Sequence, residues 1–278
     1  MFVLDTESIP WEPVTANTRT GKISRKFLRE NELAEGIGYT TDLVYYHKSD
    51  EAFTAPRHRH DFAQFRVTLS GLTDYGFEQV AEGGDVTYFP AGAYYGPETI
   101  EEAEILLIQW SRGWVTREKS NRAFEELAKK GTFKDGYYHT TDTKGRPVRR
   151  DGNMAVWETV TGTPLTIPSP KYGQPIVMKT SGYDWSATES GLAVKDLGHF
   201  TDEDVNVQAV KWKPGQEIEL GSERTTLVWV ASGELSSEGQ NLTARSVMFS
   251  DFGDTHTLTG VEDGEALLLR LPIVEPGA

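Results

Sequence analysis

Cysteine is absent from the 278 residues. That one absence excludes disulfides, thiolate metal ligands, iron–sulfur clusters and cysteine nucleophiles. No apolar run approaches the ~18 residues of a membrane-spanning helix. The opening Met1-Phe2-Val3-Leu4-Asp5-Thr6-Glu7 has no basic segment and no apolar one, so no signal peptide is expected. Positive charge is scarce: 28 Lys and Arg face 42 Asp and Glu, a formal charge of −14. A polyanion repels nucleic acid and anionic membrane, so neither is an expected partner. An anionic substrate would have to be held by local cations against the whole field. The sequence also lacks a glycine-rich dinucleotide loop, a P-loop, a Gly-x-Ser-x-Gly elbow and a His-Glu-x-x-His helix. These exclusions point to small-molecule chemistry in a cytoplasmic protein.

What is present is β-type sequence. The 27 glycines and 13 prolines punctuate short runs rich in Val, Ile, Thr, Tyr, Phe and Trp. Strands are expected at Leu43–His47, Ala63–Leu69, Asp85–Phe89, Glu104–Trp110, Val205–Lys211, Thr225–Val230, Ser246–Phe249 and Glu265–Leu271. Short strands at this spacing predict a β-sandwich or barrel. One helix is expected near 116–130. Thr116 can cap it, Ala123, Phe124, Leu127 and Ala128 form its apolar stripe, Lys129 and Lys130 suit its end, and Gly131 suits the position just beyond. Ser24–Ala34 reads as a second, short helical piece. The turn-rich stretch Lys134–Asn153 reads as an interdomain connection, with β-type sequence resuming at Ala155-Val156-Trp157.

The two halves share an order of parts. Arg57-His58-Arg59-His60 leads to a strand ending at Ser70-Gly71, then to Gly84-Asp85-Val86-Thr87-Tyr88-Phe89-Pro90-Ala91-Gly92. Pro214-Gly215 leads through Gly221-Ser222-Glu223 to a strand ending at Ser232-Gly233, then to Ser246 onward and Gly253-Asp254-Thr255-His256. The expectation is a mostly β protein of two jelly-roll barrels in tandem with a short connecting helix. Residues 1–131 would form the first barrel and its helix, and 132–278 the linker and a degenerate second barrel.

At these residues the sequence resembles the cupin superfamily in its two-domain (bicupin) form. His58, His60, Gln64 and Gly71 fall at the spacing of the first family motif, with Gln64 where the family has Glu. Gly84, Pro90 and Gly92 fit the second motif, with Tyr95 in place of its final His. In the second half Gly221, Glu223 and Thr226 stand where the ligands would be, and Gly253 and His256 alone suggest its second motif. Residues i and i+2 of a strand share a face, so His58 and His60 can aim at one point inside a barrel while Gln64 returns on the adjoining strand. Two imidazoles and an oxygen donor suit a divalent transition metal, Fe(II) first, with Mn, Ni, Cu or Zn as alternatives. A blander reading makes the histidines surface residues and Gln64 a polar lining residue.

Arg66 and Thr68 share the face of Gln64. A guanidinium in a barrel needs an anionic partner, either a substrate carboxylate or a core carboxylate. Tyr88, Tyr95 and Trp110 are candidate pocket aromatics, although aromatics in barrels most often pack. Arg66 and Tyr95 are the candidate catalytic residues, and Arg66, Thr68, Tyr88, Tyr95 and Trp110 the candidate substrate contacts. The resemblance implies a metal-dependent oxidoreductase of the dioxygenase type acting on a small carboxylate-bearing or aromatic metabolite. The alternatives are an isomerase, lyase or decarboxylase on the same site, and a non-catalytic binding protein with a decayed metal site. A homodimer is expected.

Overall fold

The computed structural model describes residues 1–14, 21–34 and 36–273. The protein is mostly β. The elements that matter here are β1 (Phe2–Asp5), β2 (Lys22–Ala34), β3 (Ile37–His47), β4 (Ala63–Asp74), β5 (Val86–Phe89), β6 (Glu98–Ile100), β7 (Ala103–Arg112), α1 (Arg117–Ala128), α2 (Gly152–Thr161), β8 (Val205–Trp212), β9 (Thr226–Ser237), β10 (Ser246–Ser250) and β11 (His256–Arg270). Among the described residues no helix is long and apolar enough to cross a membrane.

The chain forms two compact units. One comprises Trp11–Glu32 and Gly36–Val177, the other Met1–Pro10, Leu33–Glu35 and Met178–Ala278. This division differs from a boundary at 131/132 in two ways. The N-terminal strand belongs to the later unit, where β1 pairs antiparallel with β10, Phe2 opposite Phe249 and Asp5 opposite Ser246. The stretch read as a linker folds with the earlier unit.

In the earlier unit the main sheet runs β5-β4-β7-β3-β2. The β4–β7 and β7–β3 pairs are antiparallel. Gly71 lies in β4 with φ +80°, and a Cβ there would sit 2.1 Å from the Glu102 carbonyl oxygen. Only glycine fits such a conformation and approach. In the later unit the sheet runs β1-β10-β9-β11-β8. Its core holds Val210, Trp212, Val228, Leu258 and Leu268, and Gly233 repeats the feature of Gly71, with φ +76° and 2.3 Å to the Asp263 carbonyl oxygen.

Three local expectations are corrected. Ser24–Ala34 is strand, not helix, because β2 buries Ser24, Lys26 and Leu28 on one face. Two of those three are polar, which hides the period of two, and Lys26 is sheltered by its ammonium lying 4.8 Å over the Trp11 ring. Lys134–Asn153 is no linker. Thr132–Lys134, Tyr137–Thr141 and Pro147–Asp151 form a three-stranded antiparallel sheet. Ala155-Val156-Trp157 lies in the helix α2, started by the Asp151 side chain accepting from Met154 N–H at 3.0 Å and stopped at Gly162, φ 70°. The expected helix is α1, with Thr116 as its N-cap, and it falls within the earlier unit.

Candidate functional site

Register decides which side chains meet. Residues directly opposite in a ladder share a face. Across β5, β4, β7 and β3, Phe89, Gln64, Gln109 and Thr40 form one row. Thr87, Arg66, Leu107 and Asp42 form the next row. Gln64, Arg66, Gln109, Asp42 and Thr40 are therefore on the concave face by geometry, and all but Gln64 line a cavity of about 440 Å³.

Two predicted residues fall on the other face. Trp110 is opposite Ala63 and Tyr39, and Tyr88 is opposite Phe65. Tyr88 and Trp110 pack with Phe65, ring centroids 5.3 and 5.2 Å from it, in a buried aromatic layer. They are core residues rather than substrate contacts, because each sits one residue out of phase with the Gln64 row. Thr68 has the parity of Arg66 but lies opposite Ile105, in the apolar cluster of Val44, Phe53 and Ile105, and does not line the cavity.

The histidines enter just before β4. His58 forms a two-way bridge with Tyr95, each N–H donating to the other's carbonyl at 3.0 Å. Gly92 N–H donates to the His60 carbonyl at 2.7 Å. The backbone thus joins the two sequence motifs. The ring centroids of His58 and His60 are 4.9 Å apart, edge to face, and His58 lies 4.3 Å from Tyr95. His58 Nδ1 is 2.6 Å from the Pro56 carbonyl oxygen. A carbonyl only accepts, so Nδ1 carries the proton and the lone pair sits on Nε2. His60 stacks on Phe62 at 4.3 Å.

The partner of Arg66 is Glu98 of β6. The guanidinium donates to Glu98 at 2.5 Å, to the Tyr95 hydroxyl at 3.2 Å and to the Gln64 amide oxygen at 3.3 Å. It also lies 4.5 Å over the Phe89 ring. Burial alone would weaken its hold on its proton, but Glu98 together with Tyr95, Tyr75 and Tyr46 outweighs that and holds the Arg66 pKa above its ordinary value. The carboxylate expected for Arg66 is a protein carboxylate. Gln64 is equally engaged: its oxygen also accepts from Gln109 at 3.2 Å, and its amide N–H donates to Tyr95 at 3.3 Å.

Sequence reasoning missed the opposite wall. One guanidinium nitrogen of Arg117, at the start of α1, lies 2.7 Å from both oxygens of Asp42 and 3.3 Å from Thr40 Oγ1. Glu30 accepts from the Trp114 indole at 3.1 Å and from Arg117 N–H at 3.0 Å. Arg25 of β2 lines the same cavity. No motif spacing marks these residues. Only the register of β2 beside β3, with α1 folded onto the sheet, brings them together. Asp61 also lines the cavity, and burial raises its carboxyl pKa.

No protein-family model and no curated protein matches the chain. Solved structures do match its fold. A candidate dioxygenase from Nostoc punctiforme PCC 73102 is 12% identical with a TM-score of 0.63, covering 100% of this chain and 84% of its own. Streptomyces albus HEPD, with 2-hydroxyethylphosphonate and Fe(II) bound, is 11% identical with a TM-score of 0.58 over 98% of this chain and 76% of its own. Bacillus subtilis oxalate decarboxylase is 14% identical with a TM-score of 0.55 over 99% of this chain and 77% of its own. The fold is the cupin fold.

Streptomyces albus HEPD, of this fold, holds Fe(II). The His58 tautomer, with its lone pair on Nε2, and the imidazole of His60 beside it fit two positions of such a site. Gln64 does not supply a third, since both lone pairs of its oxygen already accept N–H donors. Among the described residues no group of three or more His, Asp or Glu comes together as a cation site.

Proposed function

We propose that the chain is a two-barrel cupin enzyme, and that its N-terminal barrel uses a divalent transition metal, Fe(II) first, on a small carboxylate-bearing or aromatic metabolite in a dioxygenase-type reaction. The observation that carries the reading is His58. It is buried, its Nδ1 proton is fixed on the Pro56 carbonyl, and it lies beside His60, which lines the cavity. His58 and His60 would hold the metal. When bound, it would bring substrate and dioxygen together and act as a Lewis acid.

The remaining work falls to the chain's own groups. Glu98 fixes Arg66, and Arg66 fixes Gln64 and Tyr95. The Tyr95 oxygen accepts from Gln64 and Arg66, so toward any further group it acts as a donor. The cavity is within the usual volume for a small-molecule site. In this reading the C-terminal barrel has no ligand set and supports a dimer.

The Gln64–Arg66–Gln109 network favours a second reading, a metal-free small-molecule-binding cupin. Elemental analysis of protein purified without added metal separates the two. About one equivalent of iron or another transition metal per chain, lost in the His58→Ala, His60→Ala double variant, supports the first. Metal-free protein, or metal unchanged in the double variant, overturns it. Oxygen uptake with candidate carboxylates then separates dioxygenase from isomerase, lyase or decarboxylase chemistry.

A further inference from the structure

We infer that the β2–β3–α1 wall of the cavity is an anion subsite in which Arg25 and Arg117 take the carboxylate of a small ligand. The inference rests on reading the cavity as a ligand site and is independent of the metal.

The charged groups lining the cavity balance formally, four to four, and differ in what each one faces. They are Arg25, Arg59, Arg66 and Arg117 against Glu30, Asp42, Asp61 and Asp151. Arg66 is neutralised by Glu98. The Arg59 guanidinium lies 4.7 Å over the Tyr94 ring. Glu30 is engaged by the Trp114 indole and the Arg117 backbone, and Asp151 caps α2. Asp61 directly follows His60, ahead of β4. Asp42 is then the single carboxylate set between two guanidiniums, Arg117 in contact and Arg25 nearby.

Around Asp42 the excess is one positive charge, two guanidiniums to one carboxylate, and their donors fit a planar acceptor. Arg117 uses one terminal nitrogen on Asp42 and Thr40. Its Nε and other terminal nitrogen make no hydrogen bond among the described residues. The Arg25 side chain makes no hydrogen bond or ion pair among them either, though it is only partly exposed. Burial lowers the Arg25 pKa; Asp42 raises it and Arg117 lowers it again, as two like charges sharing one carboxylate should behave. A carboxylate supplies the missing negative charge and can accept from a guanidinium fork. The adjoining walls, Trp114, Trp157, Phe124 and Phe62, suit an aromatic or apolar body. The site would also let a chain of charge −14 hold an anion by a local cation pair against the global field.

The test is calorimetric titration of the full chain with benzoate, its neutral isostere benzamide, and inorganic phosphate, at fixed ionic strength. Wild type should bind benzoate at least about tenfold more tightly than benzamide or phosphate. Arg25→Gln should lose about 10- to 100-fold in benzoate affinity, as expected for a charged hydrogen-bond partner, and leave benzamide unchanged. Asp42→Asn, which removes the competing carboxylate, should tighten benzoate. Should Arg25→Gln fail to fold, Arg25→Lys serves, and loss of the fork should weaken benzoate by several-fold. Equal binding of benzoate and benzamide, or benzoate binding unaffected at Arg25, overturns the subsite but leaves the cavity a ligand site. Tighter phosphate binding overturns the carboxylate assignment. No binding of any probe overturns both. Metal content is measured separately, so failure of the metal reading is distinguishable from each of these.

Discussion

Glu98→Gln removes one charge from the centre of the barrel and almost nothing else. The side chains of Glu98 and Arg66 are 1% and 9% exposed, so water cannot replace the lost carboxylate. The amide keeps an acceptor for Arg66, but the guanidinium is left charged and uncompensated. Breaking a buried pair in this way costs about 3–5 kcal/mol, or roughly 6–20 °C in Tm for a unit of this size. Replacing both partners by methionine should cost less, because no charge remains buried. That double variant leaves the Gln64 oxygen and the Tyr95 hydroxyl one donor short each, about 1 kcal/mol apiece. The expected order of stability is therefore wild type, then Arg66→Met with Glu98→Met, then Glu98→Gln. Scanning calorimetry and urea unfolding of the three proteins read it directly. A Glu98→Gln protein within about 1 kcal/mol of wild type would refute the reasoning. It would mean that Arg66 reaches solvent or another anion and is again a candidate to receive substrate.

Gln64→Ala should keep whatever metal the wild type carries, since its oxygen is committed to Arg66 and Gln109; elemental analysis showing loss would make Gln64 a ligand. Gly71→Ala should destabilise by more than about 2 kcal/mol, since it adds a Cβ at positive φ against the Glu102 carbonyl, and an unchanged urea midpoint would contradict the close approach. His47 gives a pH dependence. Its pKa is lowered by burial and by Lys22, so the folded state binds fewer protons than the unfolded state just below the ordinary histidine range. Its contribution is present above that range and is lost as pH falls through the lowered value. Urea midpoints measured from pH 7 to 5 should therefore fall less steeply in His47→Gln than in wild type; identical slopes would reject the assignment.

The parts of this protein legible from its sequence are those in which alternation and turn chemistry agree. Residues 63–69 read as strand because apolar and polar positions alternate. A glycine is needed at Gly71, but the strand expected to end at Ser70-Gly71 runs on through it to Asp74. The same parity argument placed Gln64 and Arg66 on one face, and the register confirms that they share it with Gln109 and Asp42. Parity did not transfer to Tyr88 and Trp110, because it relates residues within one strand and says nothing of which residue a neighbouring strand sets opposite. Phe89, one residue along, takes the place opposite Gln64. β2 was illegible for a different reason: Lys26 is buried over Trp11 and Arg25 lines the cavity, so both faces of the strand carry charge where a half-buried strand should alternate. That departure from the pattern has a physical consequence. A guanidinium placed on the cavity side of a strand and left without a protein partner raises the energy of the empty cavity, and a ligand carboxylate lowers it. The residue that defeated the sequence pattern is therefore the one on which the proposed anion subsite depends.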